Sequence, residues 1–566
     1  MCGRCCVLGT TWGRQSGRIS QAVASEDMRL SCNSQSGRQG TFMNSFDYVV
    51  IGGGSAGATV AGRLARANAG RVLLLDAGVS HKNLNVQIPL AFGKQFGTEL
   101  DWNLRTAPEP GLDGRTLRYP RGKTLGGCSS MNAMIYIRGN RSDFDDWSKG
   151  GATGWSYDEV LPYFLKSEAN SRGRSDYHGA DGLLHIQDLR QPNPLSAKLI
   201  QAMVESGLKP NADFNGVDQA GVGYYQVCQK RGRRWNTADA FLELERDNKN
   251  LEVWTEAHAL GLKFNGDRVV GVEVDHAGSR RTVRCAREVV LSAGAVNTPQ
   301  ILMLSGIGPA GHLAEHGIGV NVDNPNVGAH LADHPMYTAN FETTAKGTLA
   351  EAQSPLQLAD WLLRKRGLLT SNLGEVGAFF ATRPDLELPH MQIIGGPGYF
   401  FDHGFRRHPK PAYVFACSLV APKSCGSIRL RSADPKAPVV ATFNYFSEPQ
   451  DLAAMVAAIE RVREFAASAA LRDLTTGEIN PGNEIRGRTA LEAAIRREVE
   501  HTYHASCTAR IGTEETGVVD SQLRVHGVTG LRIADASVFP TIPRGNTHAP
   551  AVMVGEKAAD LILHDA

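Results

Sequence analysis

The arrangement of apolar and polar positions is most informative between residues 46 and 76. Residues 47–51 form a largely apolar run that predicts a buried strand, and helical spacing of apolar positions follows to about Ala67. A second apolar run at 71–75 predicts another strand, which ends at Asp76. Strand, glycine-rich turn, helix and strand therefore follow one another within about 30 residues, the length of one βαβ unit.

The turn between the first strand and the helix has the pattern G-x-G-x-x-G. Gly52 permits the tight turn, Gly54 lets the backbone approach a pyrophosphate, and Gly57 lets the helix pack closely on the strand. Ser55 and Ala56 open the helix, whose free N–H groups and partial positive charge attract phosphates. In this context the pattern predicts a dinucleotide site; the alternative is a glycine-rich turn in an empty α/β sheet.

Asp76 completes the predicted dinucleotide site. It lies 19 residues after Gly57, where a carboxylate accepts hydrogen bonds from the adenosine ribose hydroxyls. The motif by itself does not distinguish FAD from NAD.

The later part of the chain has a weaker pattern. Residues 427–431 alternate like a strand, and a core-facing helix is predicted from apolar positions at helical spacing, namely Leu452, Met455, Val456, Ile459 and Val462. We predict an α/β fold (α+β overall) with a Rossmann-like dinucleotide-binding domain at 43–332, including some insertions from a second domain. A mixed-sheet substrate-binding domain occupies mainly 333–500, and 501–566 returns to the first domain.

Residues 1–42 differ from the rest, because they are rich in Ser, Gly, Arg and Cys and lack periodic apolar spacing. No apolar stretch follows the early arginines, so we do not predict a secretory signal. They are either a disordered or targeting extension or the product of a start codon placed too early. We favour the second, because Met43 lies just before the first strand. Cys2, Cys5 and Cys6 lack a second ligand pair, so no metal site is predicted there.

Composition narrows the class of protein. The 566 residues, of which 42% are hydrophobic and 21% charged, suit a globular chain of two or more domains. The net charge of +2 offers no electrostatic basis for nucleic-acid binding. The scattered cysteines favour a reducing compartment, and no apolar run reaches the roughly 18 residues of a membrane span. We expect a cytoplasmic protein, free or held at the cytoplasmic side of a membrane, and not a secreted one.

Three further segments resemble signatures of the glucose–methanol–choline (GMC) oxidoreductase family. Residues 121–134 form a glycine- and serine-rich loop similar to the first signature, with Cys128 where Gly, Ser or Thr is usual. Residues 294–308 match the second signature at every constrained position, and 327–335 resemble the family stretch that ends in Asp-His-Pro. The resemblance covers about 46–562, with the motifs in the expected order.

The resemblance implies that the bound nucleotide is FAD. It also implies an adenine-side backbone contact at Ala259 and a group of residues at or near the flavin: Leu125, Gly127, Asn132, Ala133, Met134 and Ile135. Some members attach the flavin covalently through a His just before the signature Asn. Here that residue is Met131, which cannot form this bond, so we predict noncovalent FAD.

The C-terminal part resembles the active-site region of the family. Within residues 501–508, His504 matches a histidine that faces the reactive edge of the flavin, and His548, 44 residues later, matches the second His or Asn. Residues 545–550 are predicted to open a final helix that runs to about His564. The resemblance also implies cofactor contacts from Tyr503, Asp535, Ala536, Asn546 and Thr547.

Two imidazoles suit the oxidation of an alcohol. The hydroxyl proton must be removed while the carbon-bound hydride passes to flavin N5, and a neutral imidazole is a suitable base near neutral pH. We assign His504 as the base and His548 as the group that hydrogen-bonds the developing alkoxide. The N-terminal end of a helix, with Pro550 in its first turn, disfavours a charged His548. Electrons then pass to a quinone or another acceptor.

The remaining candidate residues receive structural interpretations. His258, His334 and His501 are more readily explained as packed histidines. His312 and His316 have metal-ligand spacing on a predicted exposed helix, but no third ligand is evident, so we predict no metal.

Glu375 resembles a glutamate of choline-dehydrogenase-like members, where a carboxylate could favour a cationic substrate. We prefer a loop carboxylate with local hydrogen bonds, because no full aromatic cage for a quaternary ammonium is visible.

Other functions remain open on the sequence alone. An oxidase that uses O₂ is the nearest alternative, and a flavin-containing lyase or decarboxylase of the same fold is a second. A noncatalytic flavin-binding protein is the third, although the paired histidines favour redox chemistry. The alcohol, the electron acceptor and the oligomeric state are not determined by these patterns.

Overall fold

Two seven-stranded sheets form the framework of residues 45–565, the part of the chain that the computed structural model describes. The predictions for residues 1–42, including the cysteine cluster, lie outside this part. The principal strands are, in chain order, β1 (Ser45–Ile51), β2 (Val72–Leu75), β3 (Gly221–Tyr224), β4 (Leu251–Trp254), β5 (Ala257–Asn265), β6 (Arg268–His276), β7 (Ser279–Leu291), β8 (Pro335–Thr343), β9 (Val376–Phe380), β10 (Met391–Gly396), β11 (Ala412–Leu419), β12 (Thr475–Asn480), β13 (Glu500–His501) and β14 (Leu531–Ile533).

Helices cover the sheets and connect their strands. They are α1 (Ser55–Arg66), α2 (Leu84–Gln87), α3 (Arg141–Lys149), α4 (Tyr157–Ser167), α5 (Pro194–Glu205), α6 (Gly294–Leu304), α7 (Ala310–Glu315), α8 (Pro355–Arg364), α9 (Pro449–Ala467), α10 (Arg488–Glu498) and α11 (His548–Asp565). The predicted first strand, first helix and second strand are confirmed as β1, α1 and β2, and the predicted final helix is confirmed as α11.

The first sheet has the strand order β4–β2–β1–β7–β6–β5, and β14 also pairs with β7. Strands β4, β2, β1, β7 and β14 run parallel, whereas β5, β6 and β7 form an antiparallel meander. Every residue of β2 is buried, as expected for a parallel strand whose two faces are both covered. This arrangement is the predicted Rossmann-like element.

The second sheet is antiparallel and has the order β12–β8–β11–β10–β9–β3, with β13 also paired to β8. All of β11 is buried. The apolar stripe predicted on a helix lies on α9 and is buried, and the strand predicted from 427 is confirmed as Ser427–Arg429, which pairs with Val440–Thr442. Strand β3 joins this sheet from within 43–332, the range predicted to hold insertions, while the exact domain limits stay a prediction.

The end of the chain returns to its beginning. Strand β14 pairs with the last residues of β7, and α11 packs against α1. Glu556 of α11 is fully buried and its carboxylate lies 2.6 Å from the guanidinium of Arg63 on α1. Gly555 faces the backbone of Ala56, since a Cβ on Gly555 would lie 2.7 Å from the Ala56 carbonyl oxygen.

The α/β fold with two different sheets confirms the predicted fold class. Among residues 45–565, no helix combines the length and the apolar character that crossing a bilayer requires.

Replacement of Gly57 by Ala should destabilise the protein. A Cβ at Gly57 would lie 1.9 Å from the Gly52 carbonyl oxygen and 2.8 Å from the Cβ of Ser292. Because α1 would have to move away from β1, we expect Gly57→Ala to lower the free energy of unfolding by about 1–3 kcal/mol, despite the better helix propensity of Ala. Urea unfolding, with bound small molecules removed, measures this.

Gly54→Ala, in the same glycine turn, is the matched control for Gly57→Ala. A Cβ there would meet nothing within 4 Å, and the backbone φ of −77° suits any residue. Its unfolding free energy should change by less than about 0.5 kcal/mol. Equal destabilisation by the two substitutions would contradict the packing role of Gly57.

Candidate active site

A cavity lies at the carboxyl ends of β1, β2 and β7, where ligands bind in open parallel sheets. Its walls include Gly52 and Gly54 after β1, Asp76 after β2, and Ser292 after β7. It continues to the second sheet, which contributes residues of β8, β10 and β11. The cavity therefore joins the dinucleotide end of the fold to the predicted substrate-binding region.

Most of the residues predicted to hold the cofactor line this cavity. They are Gly52, Gly54, Ser55, Ala56, Asp76, Gly127, Asn132, Ala133, Met134, Ile135, Ala259, Tyr503, Asp535, Ala536, Asn546 and Thr547. The predicted catalytic pair, His504 and His548, lines it as well. The three predicted residues that do not line it are Gly57, Leu125 and Glu375.

Gly57 and Leu125 contact the glycine turn on the side that faces away from the cavity. Gly57 packs on the backbone of Gly52, and the Cδ2 of Leu125 would lie 3.1 Å from a Cβ built on Gly53. The side chain of Leu125 therefore lies against the turn and not on the cavity wall, and its position near the flavin stays a prediction.

Glu375 is placed away from the cavity by its own hydrogen bonds. Its carboxylate accepts the backbone N–H of Asn193 at 2.8 Å and the hydroxyls of Ser196 at 2.7 Å and Ser371 at 2.6 Å. The side chain is buried, with 1% of its surface exposed. Glu375 thus has the local hydrogen bonds of the preferred interpretation, a loop carboxylate, and it does not line the cavity.

Asp76 is held in position by the turn that it faces. Its two carboxylate oxygens accept backbone N–H groups from Gly53 at 2.8 Å and Gly78 at 2.7 Å. Burial raises the pKa of Asp76, and these two hydrogen bonds oppose that effect. A carboxylate oxygen has more than one lone pair, so each oxygen can still accept a ribose hydroxyl.

His504 is oriented by three hydrogen bonds. Its backbone N–H donates to Asp333 at 2.8 Å, its Nδ1 lies 3.0 Å from Nδ1 of His334, and its Nε2 lies 3.3 Å from Nδ2 of Asn546. Asn546 Oδ1 accepts from Nε2 of Gln392 at 3.1 Å, which directs the Asn546 amide nitrogen toward His504. Nε2 of His504 is then the acceptor, and Nδ1 carries the proton and donates it to His334.

Burial keeps this pair of imidazoles neutral. It lowers the pKa of His504 well below its ordinary value, and the neighbouring His334 and Arg121 lower it further. Burial also lowers the pKa of His334 to about 3. A neutral His504 with an unprotonated Nε2 has the protonation state of a general base, and in this structure that nitrogen accepts the amide N–H of Asn546.

His548 begins α11 and contacts the first helix. Its Nδ1 lies 2.9 Å from Oγ of Ser55, the first residue of α1. Burial lowers the pKa of His548 to about 4, and Arg234 adds to this effect. Its other ring nitrogen, Nε2, is buried and has no hydrogen-bond partner among the described residues. His548 lines the cavity. That nitrogen is available to a bound molecule.

His334 was interpreted from the sequence as a packed histidine, and its contact with the candidate base His504 was not predicted. It is completely buried and is the hydrogen-bond partner of His504. His334 belongs to the Asp-His-Pro stretch that resembles the family. Because it is separated from His504 by 170 positions, the sequence did not predict that the two rings are in contact.

The apolar part of the cavity was also missed. The residues that form it come from separate segments without a common pattern: Phe92, Phe96, Met131, Met336, Leu373, Ile394, Phe400 and Val414. Tyr503 joins them, with its ring centroid 5.8 Å from that of Phe96. Its hydroxyl lies 2.6 Å from Nδ1 of His403, and its carbonyl accepts a hydrogen bond from Arg121 at 2.6 Å.

Asp535 is a structural acceptor at the cofactor end. It accepts the backbone N–H of Gly294 and the hydroxyl of Thr298 with one oxygen, at 2.8 and 2.6 Å, and the N–H of Ser537 with the other, at 2.7 Å. It therefore fixes the start of α6 where the second signature begins.

Glu315 lies beside His312 and His316 and is the third potential metal-ligating side chain that the sequence did not show. The ligand atoms of these three residues lie within 4.8 Å of one another. However, Nε2 of His312 accepts the backbone N–H of Leu430 at 3.0 Å, and Glu315 is 73% exposed. The group lies outside the cavity and adds nothing to its chemistry.

The cavity walls fit FAD. At the dinucleotide end, the open side of Gly54 gives room for a pyrophosphate, and Asp76 faces the ribose position. At the other end, the partnerless Nε2 of His548 and the lone pair of His504 Nε2 offer polar contacts. Small residues such as Gly127, Ala133 and Ala536 also line the cavity and leave room for a flat ring system.

Comparisons with known proteins agree with this description. The N-terminal and C-terminal profiles described as GMC oxidoreductase match residues 46–336 and 422–555. An uncharacterised GMC-type oxidoreductase of Mycobacterium tuberculosis is 45% identical over 523 residues, which cover 91% of this chain and 99% of the relative. An alcohol dehydrogenase (acceptor) of Pseudomonas putida is 39% identical over 527 residues, covering 92% and 96%. An oxygen-dependent choline dehydrogenase of Brucella anthropi is 38% identical over 537 residues, covering 91% and 95%.

Among solved structures, a formate oxidase of Aspergillus oryzae studied for its FAD modification superposes with a TM-score of 0.88. It is 28% identical in sequence, and the match covers 93% of this chain and 99% of that one. FAD is therefore the cofactor of this protein, which confirms the expectation from the signatures.

We predict that FAD is released intact when the protein is unfolded. Met131 lines the cavity where a covalently attached flavin would need a histidine, and it packs beside Phe92 and Phe96. After acid precipitation, the flavin absorbance should appear in the supernatant, and the polypeptide mass should equal that of the chain alone. Flavin that stays with the precipitate would contradict this, and Met131→His is the matched variant for comparison.

Proposed function

The chain belongs to the GMC oxidoreductase family, and from that premise we propose that it oxidises an uncharged, largely apolar alcohol to an aldehyde or ketone. The electrons leave through a quinone or another carrier. One observation supports this proposal most directly. His504 is neutral, its Nε2 is unprotonated, and the residue lines a cavity whose end opposite the dinucleotide turn is apolar.

His504 accepts the hydroxyl proton at Nε2. Its Nδ1–H is already donated to His334, so the ring keeps one orientation and one tautomer while the proton arrives. The imidazolium that results shares its Nδ1 proton with His334, which stabilises the new charge in a buried site. His334 is thus a positioning residue for His504.

His548 stabilises the oxygen that loses its proton. Its Nε2 is buried at the cavity wall, and the hydroxyl of Ser55 donates to Nδ1, which holds the ring in place and leaves the single proton of the neutral ring on Nε2. A hydrogen bond from Nε2–H to the developing alkoxide strengthens as negative charge accumulates. FAD, when bound, supplies the acceptor for the hydride that leaves the alcohol carbon.

The apolar wall selects the substrate. The carboxylates that line the cavity, Asp76 and Asp535, lie at the cofactor end and are occupied by backbone N–H groups. Among the described residues, no carboxylate lines the cavity wall beside Phe92, Phe96 and Phe400, so a cation such as a quaternary ammonium would lose its hydration there without compensation. An alkyl or aryl alcohol is stabilised by the same surface.

A dehydrogenase is favoured over an oxidase by the alcohol dehydrogenase (acceptor) of Pseudomonas putida, which is similar over nearly the whole chain. That relative's name supports a carrier as acceptor but does not identify it.

The proposal predicts that alkyl or aryl alcohols bleach the bound flavin without oxygen. In an anaerobic cuvette, apolar primary alcohols should remove the flavin absorbance, whereas choline and polyols should not. Admission of air should restore the colour slowly and a quinone analogue quickly. A flavin that stays oxidised with every alcohol would refute the proposal, and rapid recovery in air with peroxide release would assign an oxidase.

His504→Ala should reduce the rate of flavin reduction by about 100- to 10,000-fold, the usual contribution of a general base. The bound flavin spectrum should stay intact, because the backbone N–H of His504, which holds the segment on Asp333, is retained. His564→Ala is the control, since that imidazole is 76% exposed on the last turn of α11. Unchanged turnover in His504→Ala would eliminate the assigned base.

The pH dependence should reflect the lowered pKa of His504. A base must be unprotonated, and a pKa below the ordinary value of 6.5 keeps His504 neutral down to lower pH. We expect kcat/KM to be constant at neutral pH and to fall to half only below pH 6.5. A midpoint above pH 6.5 would contradict the lowering of the His504 pKa by burial. The variant His548→Asn should keep the same midpoint; a shifted midpoint would mean that the titration belongs to His548.

A further inference from the structure

Helix α8 presents an apolar surface to solvent. Leu356 is 80% exposed and Leu363 83%, and Leu358 and Leu362 are exposed at 38% and 49%. Elsewhere among the described residues, the largest exposed apolar side chains belong to separate elements, for example Val217 at 86%. A concentration of exposed leucines on one short helix indicates a surface that contacts something apolar.

Basic residues border the same helix. Arg364, Lys365 and Arg366 follow one another at its end, and Asp360 is the acidic residue between 354 and 370. Arg190 approaches from a neighbouring loop, since its Cδ would lie 3.2 Å from a Cβ on Gly232. The carbonyl oxygen of Lys365 would lie 2.4 Å from the same Cβ. Arg190 and Lys365, which belong to separate segments, therefore both pack on Gly232 at the end of α8.

The inner side of α8 connects this surface to the cavity. Trp361 is buried against Ile88 and Ala91, and its indole N–H donates to the carbonyl of Gly232 at 2.9 Å. Ala91 belongs to the 3-10 helix Pro89–Gln95, whose Phe92 lines the apolar part of the cavity. One layer of packed side chains therefore separates the exposed leucines from the substrate end of the site.

We propose that α8 and its basic border form a docking surface for an anionic lipid bilayer. The leucines enter the apolar boundary of the bilayer while the arginines contact phosphate headgroups, the mode of an amphipathic helix that lies in the interface. The border has more basic than acidic residues, with Asp360 paired to Arg364, and this excess positive charge favours anionic lipid over a second copy of the chain, which would bring the same cations into contact. An apolar alcohol partitions into the bilayer that this surface contacts.

The test is flotation of the full-length, FAD-loaded protein with vesicles. Phosphatidylcholine vesicles with about 30% phosphatidylglycerol should bind the protein, and vesicles of phosphatidylcholine alone should bind it at least about tenfold more weakly. Binding should fall as salt is raised, because the headgroup attraction is screened. Failure of the wild-type protein to bind the anionic vesicles at low salt would overturn the proposal.

Two pairs of variants separate the contributions. The double variant Leu356→Gln/Leu363→Gln should bind at least about tenfold more weakly, and Val217→Gln, at an equally exposed apolar site elsewhere, should bind like the wild type. Arg364→Gln/Arg366→Gln should lose the preference for anionic lipid, whereas Arg246→Gln, 69% exposed on another segment, should keep it. Undiminished binding by the leucine variant would refute the role of α8.

Self-association is the competing outcome. If analytical ultracentrifugation shows a dimer that the leucine variant abolishes, the surface is a contact between copies and the lipid proposal is wrong. Flavin reduction by a water-soluble alcohol should be equal in all these variants. Loss of lipid binding therefore does not depend on the proposed alcohol chemistry, and a failure of either can be distinguished from a failure of the other.

Discussion

The close contact between the first and last helices is the constraint on which the site depends. Gly57 brings α1 onto the turn after β1, and α11 packs on α1 through Gly555 and the buried Arg63–Glu556 ion pair. As a result the N-terminal ends of two helices from opposite ends of the chain lie together, and Ser55 Oγ contacts Nδ1 of His548. A small separation of these helices would remove both the phosphate-facing turn and the second imidazole.

Burial determines the protonation states on which the chemistry depends. A buried imidazolium loses the hydration that stabilises it in water, so burial lowers the pKa of His334 and His548 as well as His504. The same effect raises the pKa of Asp333 to about 6, although it accepts the hydroxyl of Tyr119 and the N–H groups of His334 and His504. The neutral histidines and the hydrogen-bonded carboxylate together form a buried polar cluster, in which the contact with His334 favours one tautomer of His504.

The cavity divides into a polar cofactor end and an apolar end, where we propose that substrate binds, and the two ends differ in how far they could be predicted. The cofactor end uses local geometry: a tight turn, a helix start and a carboxylate at a short separation, so Gly52, Gly54 and Asp76 could be predicted. The apolar end collects Phe92, Met336 and Phe400 from loops and strands of different segments. Ordinary core positions have the same residue types, so no pattern along the chain distinguishes them.

The sequence by itself determined the βαβ unit, the fold class, the FAD cofactor and the identity of His504 and His548 as candidate catalytic residues, because these follow from short-range spacing and from signature segments. Only the tertiary structure decided that Glu375 is a loop carboxylate, that Leu125 supports the turn from behind, and that His334 orients His504. These outcomes depend on which groups far apart in the chain meet. Such contacts are decided by the packing of the two sheets and by the hydrogen bonds that buried polar groups must find, neither of which is encoded in local periodicity.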